Sequence, residues 1–369
     1  MIYKFGDIAY NITEKRSPKP EDSTNYIGLE HLDPGSIYVN RYGIDVELKG
    51  DKLVMHKGDI LLGKRNAYLR RAAIAPHDGL FSAHGMILRP KDVIASEFFP
   101  FFIASDKFFD DVIRISVGGL SQTVNWKDLK ELEFDLPSFA EQKVLAEKLW
   151  AAYEVNQSYL KMIAATEEMV KAQFIEMFDF ENNTHNWPVL SFCDFASLDC
   201  TMTTDYEHYA NYPHIGIDSI EQNTGRLFGY RTVKEDNVKS GKYIFTSNHI
   251  IYSKIRPNLN KVATPDFNGL CSADSYPILP NEEMTSKDFL AYLMRSDIFL
   301  RYIVPLSNRT GMPKVNREQV EGFACPFPPK GEQDKFVAIF HQAEKSISKL
   351  RKSVDAIDKV IKSLINENL

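Results

Sequence analysis

Basic, amide and aromatic side chains alternate along the segment GKRNAYLRRAA, residues 63–73. This mixture suits nucleic acid, because lysine and arginine neutralise phosphates while arginine and asparagine form paired hydrogen bonds with the edges of guanine and adenine. A solvated surface loop without a ligand has a similar composition, so that alternative stays open. The candidate nucleic-acid contacts of this segment are Lys64, Arg65, Asn66, Tyr68, Arg70 and Arg71.

Three other segments carry similar chemistry. SKIRPNLNKVA, residues 253–263, again interleaves cations and amides, whereas SVGGLSQTV (116–124) and SNRTGMPKV (307–315) combine polar tips with glycines that let a backbone approach closely. The last two segments are equally compatible with ordinary connections. The further candidate contacts are Lys254, Arg256, Asn258, Asn260, Lys261, Ser121, Gln122, Asn308, Arg309 and Lys314.

Motifs of catalysis and metal binding are missing from the sequence. It contains neither a Gly-x-x-x-x-Gly-Lys-Ser/Thr phosphate loop nor a Gly-x-Ser-x-Gly elbow. The cysteines Cys193, Cys200, Cys271 and Cys325 form no Cys-x-x-Cys pair. His84 lies close to Ser82, but we interpret it as a structural histidine. The sequence therefore predicts a protein with no catalytic residues, no metal and no cofactor of its own.

The composition limits which binding partners and which cellular compartment we expect for the protein. The 369 residues are 44% hydrophobic and carry a formal net charge of -6. Compact nucleic-acid-binding domains are usually basic, so DNA binding requires that basic residues concentrate on one face. No run of 18 apolar residues predicts a membrane span. The first residues lack the apolar run of a signal peptide, and we expect a cytoplasmic protein.

The candidate segments belong to an internal duplication. ILLGKRNAYLRRAAIAPHDGLFSA (60–83) aligns without a gap with IIYSKIRPNLNKVATPDFNGLCSA (250–273). Further on, LPSFAEQKVLAEKL (136–149) aligns with FPPKGEQDKFVAIF (327–340). The order of these matches is the same in both halves, which predicts a tandem duplication of a unit of about 190 residues.

Each unit begins with a mixed α/β region. Short apolar runs such as GDILLGK and NHIIYSK are bounded by turn residues and predict strands. SEFFPFFIASDKFFDDVI (96–113) and SKDFLAYLMRSDIFLRYI (286–303) show helical spacing of apolar residues. Asn125 and Asn316 are candidate N-caps of a short helix that follows in each unit. We expect domains at 1–138 and 181–329.

Each unit ends in a long helix, expected at 139–180 and 330–369, since glycine and proline are missing from residues 142–178 and 332–369. Apolar residues recur there at alternating steps of three and four, the pattern of a helix pair. Asn156 interrupts this seam and either sets the register or marks a kink. The predicted interface residues are Leu145, Leu149, Ala152, Tyr159, Ile163, Val170, Phe336, Phe340, Ile347, Leu350, Val354, Ile357, Ile361 and Leu364.

Two copies of such a unit, related by a two-fold axis across the helices, would pair the helices in antiparallel fashion. The predicted fold class is therefore α+β: two mixed α/β domains in tandem duplication, separated by two long helices that pair as an antiparallel coiled coil, a dumbbell with pseudo-two-fold symmetry.

In this order of domains and helices, with each helix opened by Pro-x-x-x-Glu-Gln at Pro137 and Pro328, the chain resembles the DNA-specificity subunits of type I restriction-modification systems. The resemblance covers essentially the whole chain. It implies a non-catalytic subunit whose two target-recognition domains each read one half of a split DNA sequence. The helices would act as a spacer and as the docking surface for two modification (methyltransferase) subunits.

The resemblance also implies partners and cofactors. The partners would be double-stranded DNA, the two modification subunits and restriction subunits, with no membrane. S-adenosylmethionine, ATP and magnesium would be bound by those partner subunits, which methylate adenine and cut unmethylated DNA.

Two domains that read different half-sites should share phosphate contacts and differ in base contacts. Lys64 aligns with Lys254. Because this residue is shared, we expect both lysines to contact the phosphate backbone of DNA or to have a structural role. Asn66 aligns with Arg256 and Tyr68 with Asn258, so these differing positions are the better candidates for base reading. The alternatives are a duplicated non-catalytic scaffold that binds proteins, or an enzyme with a site in each half.

Overall fold

The computed structural model describes residues 1–45, 47–119, 121–307 and 312–369. The chain divides into two compact units. Unit 1 comprises Met1–Met162 together with Leu350–Leu369, and unit 2 comprises Ile163–Lys349. Each unit therefore contains one mixed domain, the beginning of one long helix and the end of the other.

Unit 1 is built on short antiparallel sheets. One sheet has the strand order β2-β8-β5-β6, a second has the order β3-β4-β7, and β1 pairs with β9. The strands are β1 (Ile2–Lys4), β2 (Ala9–Ile12), β3 (Lys15–Arg16), β4 (Lys52–Met55), β5 (Ile60–Gly63), β6 (Ala72–Ile74), β7 (Gly79–Phe81), β8 (Gly85–Pro90) and β9 (Glu133–Asp135). The central strand β5 is buried along its whole length, as its apolar sequence predicts.

The helices of unit 1 pack on the sheet that contains β5. They are α1 (Phe5–Ile8), α2 (Phe99–Ala104), α3 (Asp106–Ile115), α4 (Trp126–Leu129) and the first part of α5 (Phe139–Phe178). We expected a single helix over 96–113. The structure divides it at Ser105, because the Ser105 hydroxyl accepts a hydrogen bond from the Phe108 amide (3.1 Å) and caps a new helix.

Unit 2 repeats this plan. Its first sheet has the order β11-β19-β16-β17, the counterpart of β2-β8-β5-β6, and its second has the order β12-β15-β18-β13-β14. The strands are β10 (Val189–Ser191), β11 (Ala196–Leu198), β12 (Met202–Thr203), β13 (Pro213–Ile215), β14 (Arg231–Thr232), β15 (Lys242–Phe245), β16 (Ile250–Ser253), β17 (Val262–Ala263), β18 (Gly269–Cys271), β19 (Ser275–Pro280) and β20 (Ala324–Pro326). The duplication read from the sequence is thus a duplication of topology.

The helices of unit 2 follow the same order. They are α6 (Phe192–Phe195), α7 (Lys287–Arg295), α8 (Asp297–Leu306), α9 (Arg317–Glu321) and the first part of α10 (Lys330–Asn366). The predicted cap Asn316 accepts from the Gln319 amide at 2.9 Å. Asn125 occupies the same position before α4, but its side chain makes no capping bond.

The glutamine of the repeated Glu-Gln pair ties each long helix to its own domain. Gln142 is buried, its amide oxygen accepts from the Ala95 amide (2.8 Å), and its amide nitrogen donates to the carbonyls of Val93 and Pro137. Gln333 does the same in unit 2, accepting from the Thr285 hydroxyl (2.8 Å) and donating to two carbonyls. Every polar group of these buried amides is thereby paired.

In each unit the end of one long helix packs beside the start of the other. In unit 1, Ile365 near the end of α10 shares a hydrophobic core with Leu145 and Leu149 near the start of α5. In unit 2, the Phe336 ring near the start of α10 lies 5.0 Å from the Phe174 ring near the end of α5. Both pairs are antiparallel, and every predicted interface residue is buried or half-buried.

Asn156 lies in the helix pair of unit 1. It is buried, and its side-chain nitrogen donates to the Asp358 carboxylate at 2.7 Å. Helix α5 runs without interruption through this position. These contacts favour the register interpretation of Asn156 over the kink.

The predicted fold class, two mixed α/β domains in tandem with two long helices, is confirmed. Among the described residues, no helix is long and apolar enough to cross a membrane.

Candidate nucleic-acid interface

The loop after the central strand has the same unusual backbone in both units. In unit 1 a 3₁₀ turn at Ala67–Leu69 is flanked by Asn66 and Arg70, which both have positive φ (53° and 49°). In unit 2 the turn Pro257–Leu259 is flanked by Arg256 and Asn260, with φ of 49° and 50°. Left-handed backbone is costly for side chains other than glycine and asparagine, so a repeated pair of such residues marks a loop held by its surroundings.

The two predicted segments of each unit lie side by side. In unit 1 the Asn66 amide donates to the Gln122 carbonyl (2.7 Å) and the Val124 amide donates to the Lys64 carbonyl (2.9 Å). In unit 2 the Arg256 amide donates to the Pro313 carbonyl (2.8 Å) and the Val315 amide to the Lys254 carbonyl (2.9 Å). The structure therefore brings 64–71 together with the described part of 116–124, and 254–261 together with the described part of 307–315.

In unit 1, the side chains at the surface of this loop pair are Arg65, Tyr68 and Ser121, while Asn66 and Gln122 are half-buried. Arg70 points elsewhere. Its guanidinium forms ion pairs with Asp106 (2.5 Å) and Asp110 (2.6 Å) of α3. The sequence suggested Arg70 as a nucleic-acid contact, but these carboxylates already use it to fasten the loop to the helix.

In unit 2, Arg256 and Asn258 are exposed. Three other predicted contacts are buried and bonded inside the domain, which corrects their expected exposure. The Asn260 amide donates to the Arg295 carbonyl (2.9 Å), and the Lys261 ammonium donates to the Ile217 carbonyl (2.8 Å). Lys254 is also buried, with its ammonium over the Tyr276 ring at 4.8 Å.

The shared lysines are both drawn into their domains. Burial lowers the pKa of the Lys254 amine, and burial is also the largest cause of the lowered pKa of Lys64. The sequence assigned this pair to the DNA backbone or to structure. For Lys254 its burial favours structure, whereas Lys64 is half-buried and keeps an accessible side.

Two predicted contacts, Asn308 and Arg309, lie outside the described residues. Lys314, from the same segment, is half-buried and pairs with the Asp274 carboxylate at 3.2 Å. Sequence reasoning also missed basic residues of unit 1 that neighbour the loop, Lys15 and Lys52. They come from β3 and β4, and only the sheet pairing brings these strands near Lys64.

Within the described ranges no group of three or more histidine, cysteine, aspartate or glutamate side chains is arranged to hold a metal ion. The cysteines there are free thiols, and burial raises the pKa of both Cys271 and Cys325, which keeps these thiols protonated. The exposed side chains of the two loops that could bind a ligand are thus cationic, amide and aromatic groups: Arg65, Tyr68, Arg256 and Asn258.

A family model described as the type I restriction modification DNA specificity domain matches residues 1–159 and again 186–356. The chain belongs to this family. Each match contains one of the mixed domains and its loop pair. The duplicated loops are therefore those of a DNA-specificity protein.

Individual relatives have the same description. The chain is 28% identical over 341 residues to the type I restriction enzyme EcoDI specificity subunit of Escherichia coli, covering 82% of this chain and 70% of that protein. Its fold is similar to that of the type I system S subunit from M. genitalium (TM-score 0.57, 12% identity, 99% of this chain and 94% of that one). It also resembles a chain from a structure on complex assembly and conformational transition of the type I R-M system (TM-score 0.53, 14% identity, 100% and 97%).

As a member of the specificity family, this chain recognises DNA for a type I restriction-modification system and is not itself the catalyst. The family implies assembly with other subunits of such a system. A duplicated protein-interaction scaffold is not supported by these similarities.

Proposed function

We propose that this specificity subunit reads a bipartite DNA sequence, with the loop pair of each domain contacting one half. The observation that carries the proposal is the duplicated loop itself. One backbone conformation is built twice in a single chain, yet the side chains on it differ: Asn66 against Arg256, and Tyr68 against Asn258. Two domains that read different half-sites need the same loop backbone with different polar side chains on it.

The chemistry of the exposed tips supports direct reading of bases. Arginine pairs best with the O6 and N7 atoms of guanine, and asparagine with the N6 and N7 atoms of adenine. Arg256 is exposed and held in a fixed backbone conformation at the loop. The proposed DNA contacts are Lys64, Arg65, Asn66, Tyr68, Arg71, Ser121, Gln122, Arg256 and Asn258.

The proposed division of labour follows the chain. Domains 1–138 and 181–329 recognise DNA, while the helices at 139–180 and 330–369 act as spacer and as docking surface for two modification subunits. Restriction subunits join that complex. S-adenosylmethionine, ATP and magnesium bind in those partners, and the assembled complex methylates adenine in the cytoplasm.

Methylation sequencing tests the proposal. The chain is expressed with its cognate modification subunit in a host without adenine methylation, and modified adenines are mapped by single-molecule sequencing. We expect one new motif with two specified halves separated by unspecified bases. If the complex assembles and no split motif appears, the proposal is wrong.

A further inference from the structure

A group of basic side chains in unit 1 surrounds the first residue of the loop. Gly63 pairs with Gly85 in the antiparallel β5-β8 ladder, so the next residues, Lys64 and His84, leave the sheet as neighbours. The corresponding residues of unit 2 also adjoin, since the Lys254 amide donates to the Asp274 carbonyl at 3.0 Å. Position 84 in unit 1 is therefore equivalent to position 274 in unit 2, and both lie beside the shared lysine.

Two further cations lie near this pair in unit 1. Lys15 is opposite Leu53 and Lys52 is opposite Arg16 in the β3-β4 ladder, so the two lysines leave opposite faces of this edge, with Lys15 acting on Lys64 and Lys52 on His84. After burial, the charges of Arg65, Lys64 and Lys52 lower the pKa of the His84 imidazole, and Lys15 and Arg65 act likewise on Lys64. Lys15, Arg65 and His84 are exposed, and the other two are half-buried.

The cluster is not neutralised within the domain. Across the described part of the chain, no carboxylate lies within 4.0 Å of the amines of Lys15, Lys52 and Lys64 or of the Arg65 guanidinium. Lys52 donates to the carbonyls of Lys49 and Gly50, which are neutral groups. Mutual repulsion of this kind is unfavourable in the free protein and is relieved by an anion.

Unit 2 lacks this arrangement although it has the same strands. Asp274 takes the place of His84 and pairs with Lys314. Met202 occupies the strand position of Lys15, and Ile255 that of Arg65, as the pairings with Tyr243 and Lys314 show. The two lysines that remain, Lys242 and Lys254, are buried, and the Lys242 ammonium donates to Ser240. The second copy has thus replaced free cations by apolar groups and an internal ion pair.

We propose that Lys15, Lys52, Lys64, Arg65 and His84 form a binding site for the DNA backbone phosphate in unit 1 that unit 2 does not reproduce. The proposal rests on the proposed function, because it takes the loop pair to face DNA. It also reassigns His84, which sequence analysis interpreted as structural. Phosphate contacts position a protein on the duplex without reading sequence, so the two half-sites would be held unequally.

Reciprocal substitutions test this site, since each copy supplies the residue of the other. His84→Asp places the acid of unit 2 in the cluster, and Asp274→His makes the opposite change. DNA binding by the complex with its modification subunits is measured on its own target at several salt concentrations. Phosphate ethylation interference maps the backbone contacts on each half-site.

For His84→Asp we expect about tenfold weaker binding, a salt dependence smaller by about one ion, and equal weakening for target and unrelated DNA. Interference should disappear at one or two phosphates of a single half-site. Asp274→His should not weaken binding at the other half-site.

Several results would overturn the proposal. If His84→Asp changes neither the affinity for DNA nor the pattern of ethylation interference, the proposed phosphate site is wrong. If the variant changes the preferred base, His84 contacts a base instead of a phosphate. Wild-type protein serves as the control for function: if it shows no target-specific binding, the proposed function fails, whatever the variants do. Circular dichroism melting separates a loss of binding from a loss of folding.

Discussion

Position 256 has different residues in the two copies, Arg256 in unit 2 and Asn66 in unit 1, on the same loop conformation. Arg256 has a left-handed backbone, a conformation that asparagine adopts more easily than arginine. Unit 1 has asparagine, Asn66, in the same position with nearly the same φ. The chain therefore provides its own evidence that the loop accepts either residue.

Arg256→Asn should alter recognition without damaging the fold. We expect the half-site read by unit 2 to lose a preference worth about 1–3 kcal/mol at one base pair, with a shift from guanine towards adenine. Methylation sequencing of the variant complex measures the change, and Asn258→Ser, at the second proposed base contact of this loop, should alter a different base pair of the same half-site. Uniform weakening on all sequences would make Arg256 a phosphate contact.

His84 should make DNA binding depend on pH. Its pKa in the free protein is lowered, so the imidazole is mainly neutral at neutral pH. A nearby phosphate favours the protonated form, which means that binding takes up a proton and that affinity rises as pH falls from about 8 to about 6. Binding isotherms measured across this pH range should show that the affinity of the His84→Gln variant depends less on pH than that of the wild type. An equally steep profile for the variant would assign the pH effect to another group.

The sequence predicted the residue types of the interface better than their orientation. Arg65, Tyr68, Arg256 and Asn258 are exposed as expected. Asn260 and Lys261 are buried because carbonyls of Arg295 and Ile217, distant in sequence, accept their hydrogen bonds. Such partners depend on tertiary packing, which the local pattern of charges does not contain.

At the scale of elements, the glutamine of the repeated Glu-Gln pair has one structural role in both units, whereas the Glu332 carboxylate accepts from the Lys335 ammonium and does not cap its helix as Glu141 does. The carboxylate of Glu141 accepts from the Ser138 amide (2.8 Å) and caps α5, while Gln142 joins the helix to the domain. Gln333 plays the same part for α10. The motif was visible in the sequence because it occurs twice, but the backbone groups that it bonds were not.

Gln142→Ala should destabilise unit 1. The substitution leaves the Ala95 amide and two carbonyls without partners in a buried place, at a cost of about 1–3 kcal/mol in the free energy of unfolding. Urea unfolding followed by circular dichroism measures the change. Glu147→Ala, on the exposed face of the same helix, should change stability by no more than about 0.5 kcal/mol. Equal effects for the two variants would refute the proposed role of Gln142.

The domain and helix ends are also joined by matching ion pairs. Lys171 pairs with Asp297 (2.9 Å) in unit 2, and Lys362 pairs with Asp106 (2.9 Å) in unit 1. Both lysines lie near the end of a long helix, and both aspartates begin the equivalent helix of a domain. These pairs are half-exposed, so they contribute less to stability than to the orientation of the helix ends.

At the scale of the whole molecule, duplication made most of the architecture readable. Ordered matches between the halves predicted two domains and two helices, and heptad spacing predicted their pairing. A net charge of -6 is unusual for a DNA-binding protein. Basic residues are concentrated around the loop of unit 1, where we propose that they bind phosphate, and a summed charge does not reveal this concentration. The sequence shows that His84 aligns with Asp274, but only the strand pairing shows that each of them lies beside the shared lysine of its unit.

The central claim is that each domain reads one half of a split target. Single-molecule methylation sequencing of the complex containing wild-type chain, compared with Arg256→Asn, tests it most directly. We predict a motif with two specified halves, of which the substitution alters one and leaves the other and the spacing unchanged. A continuous motif, or a change in both halves at once, would contradict the account.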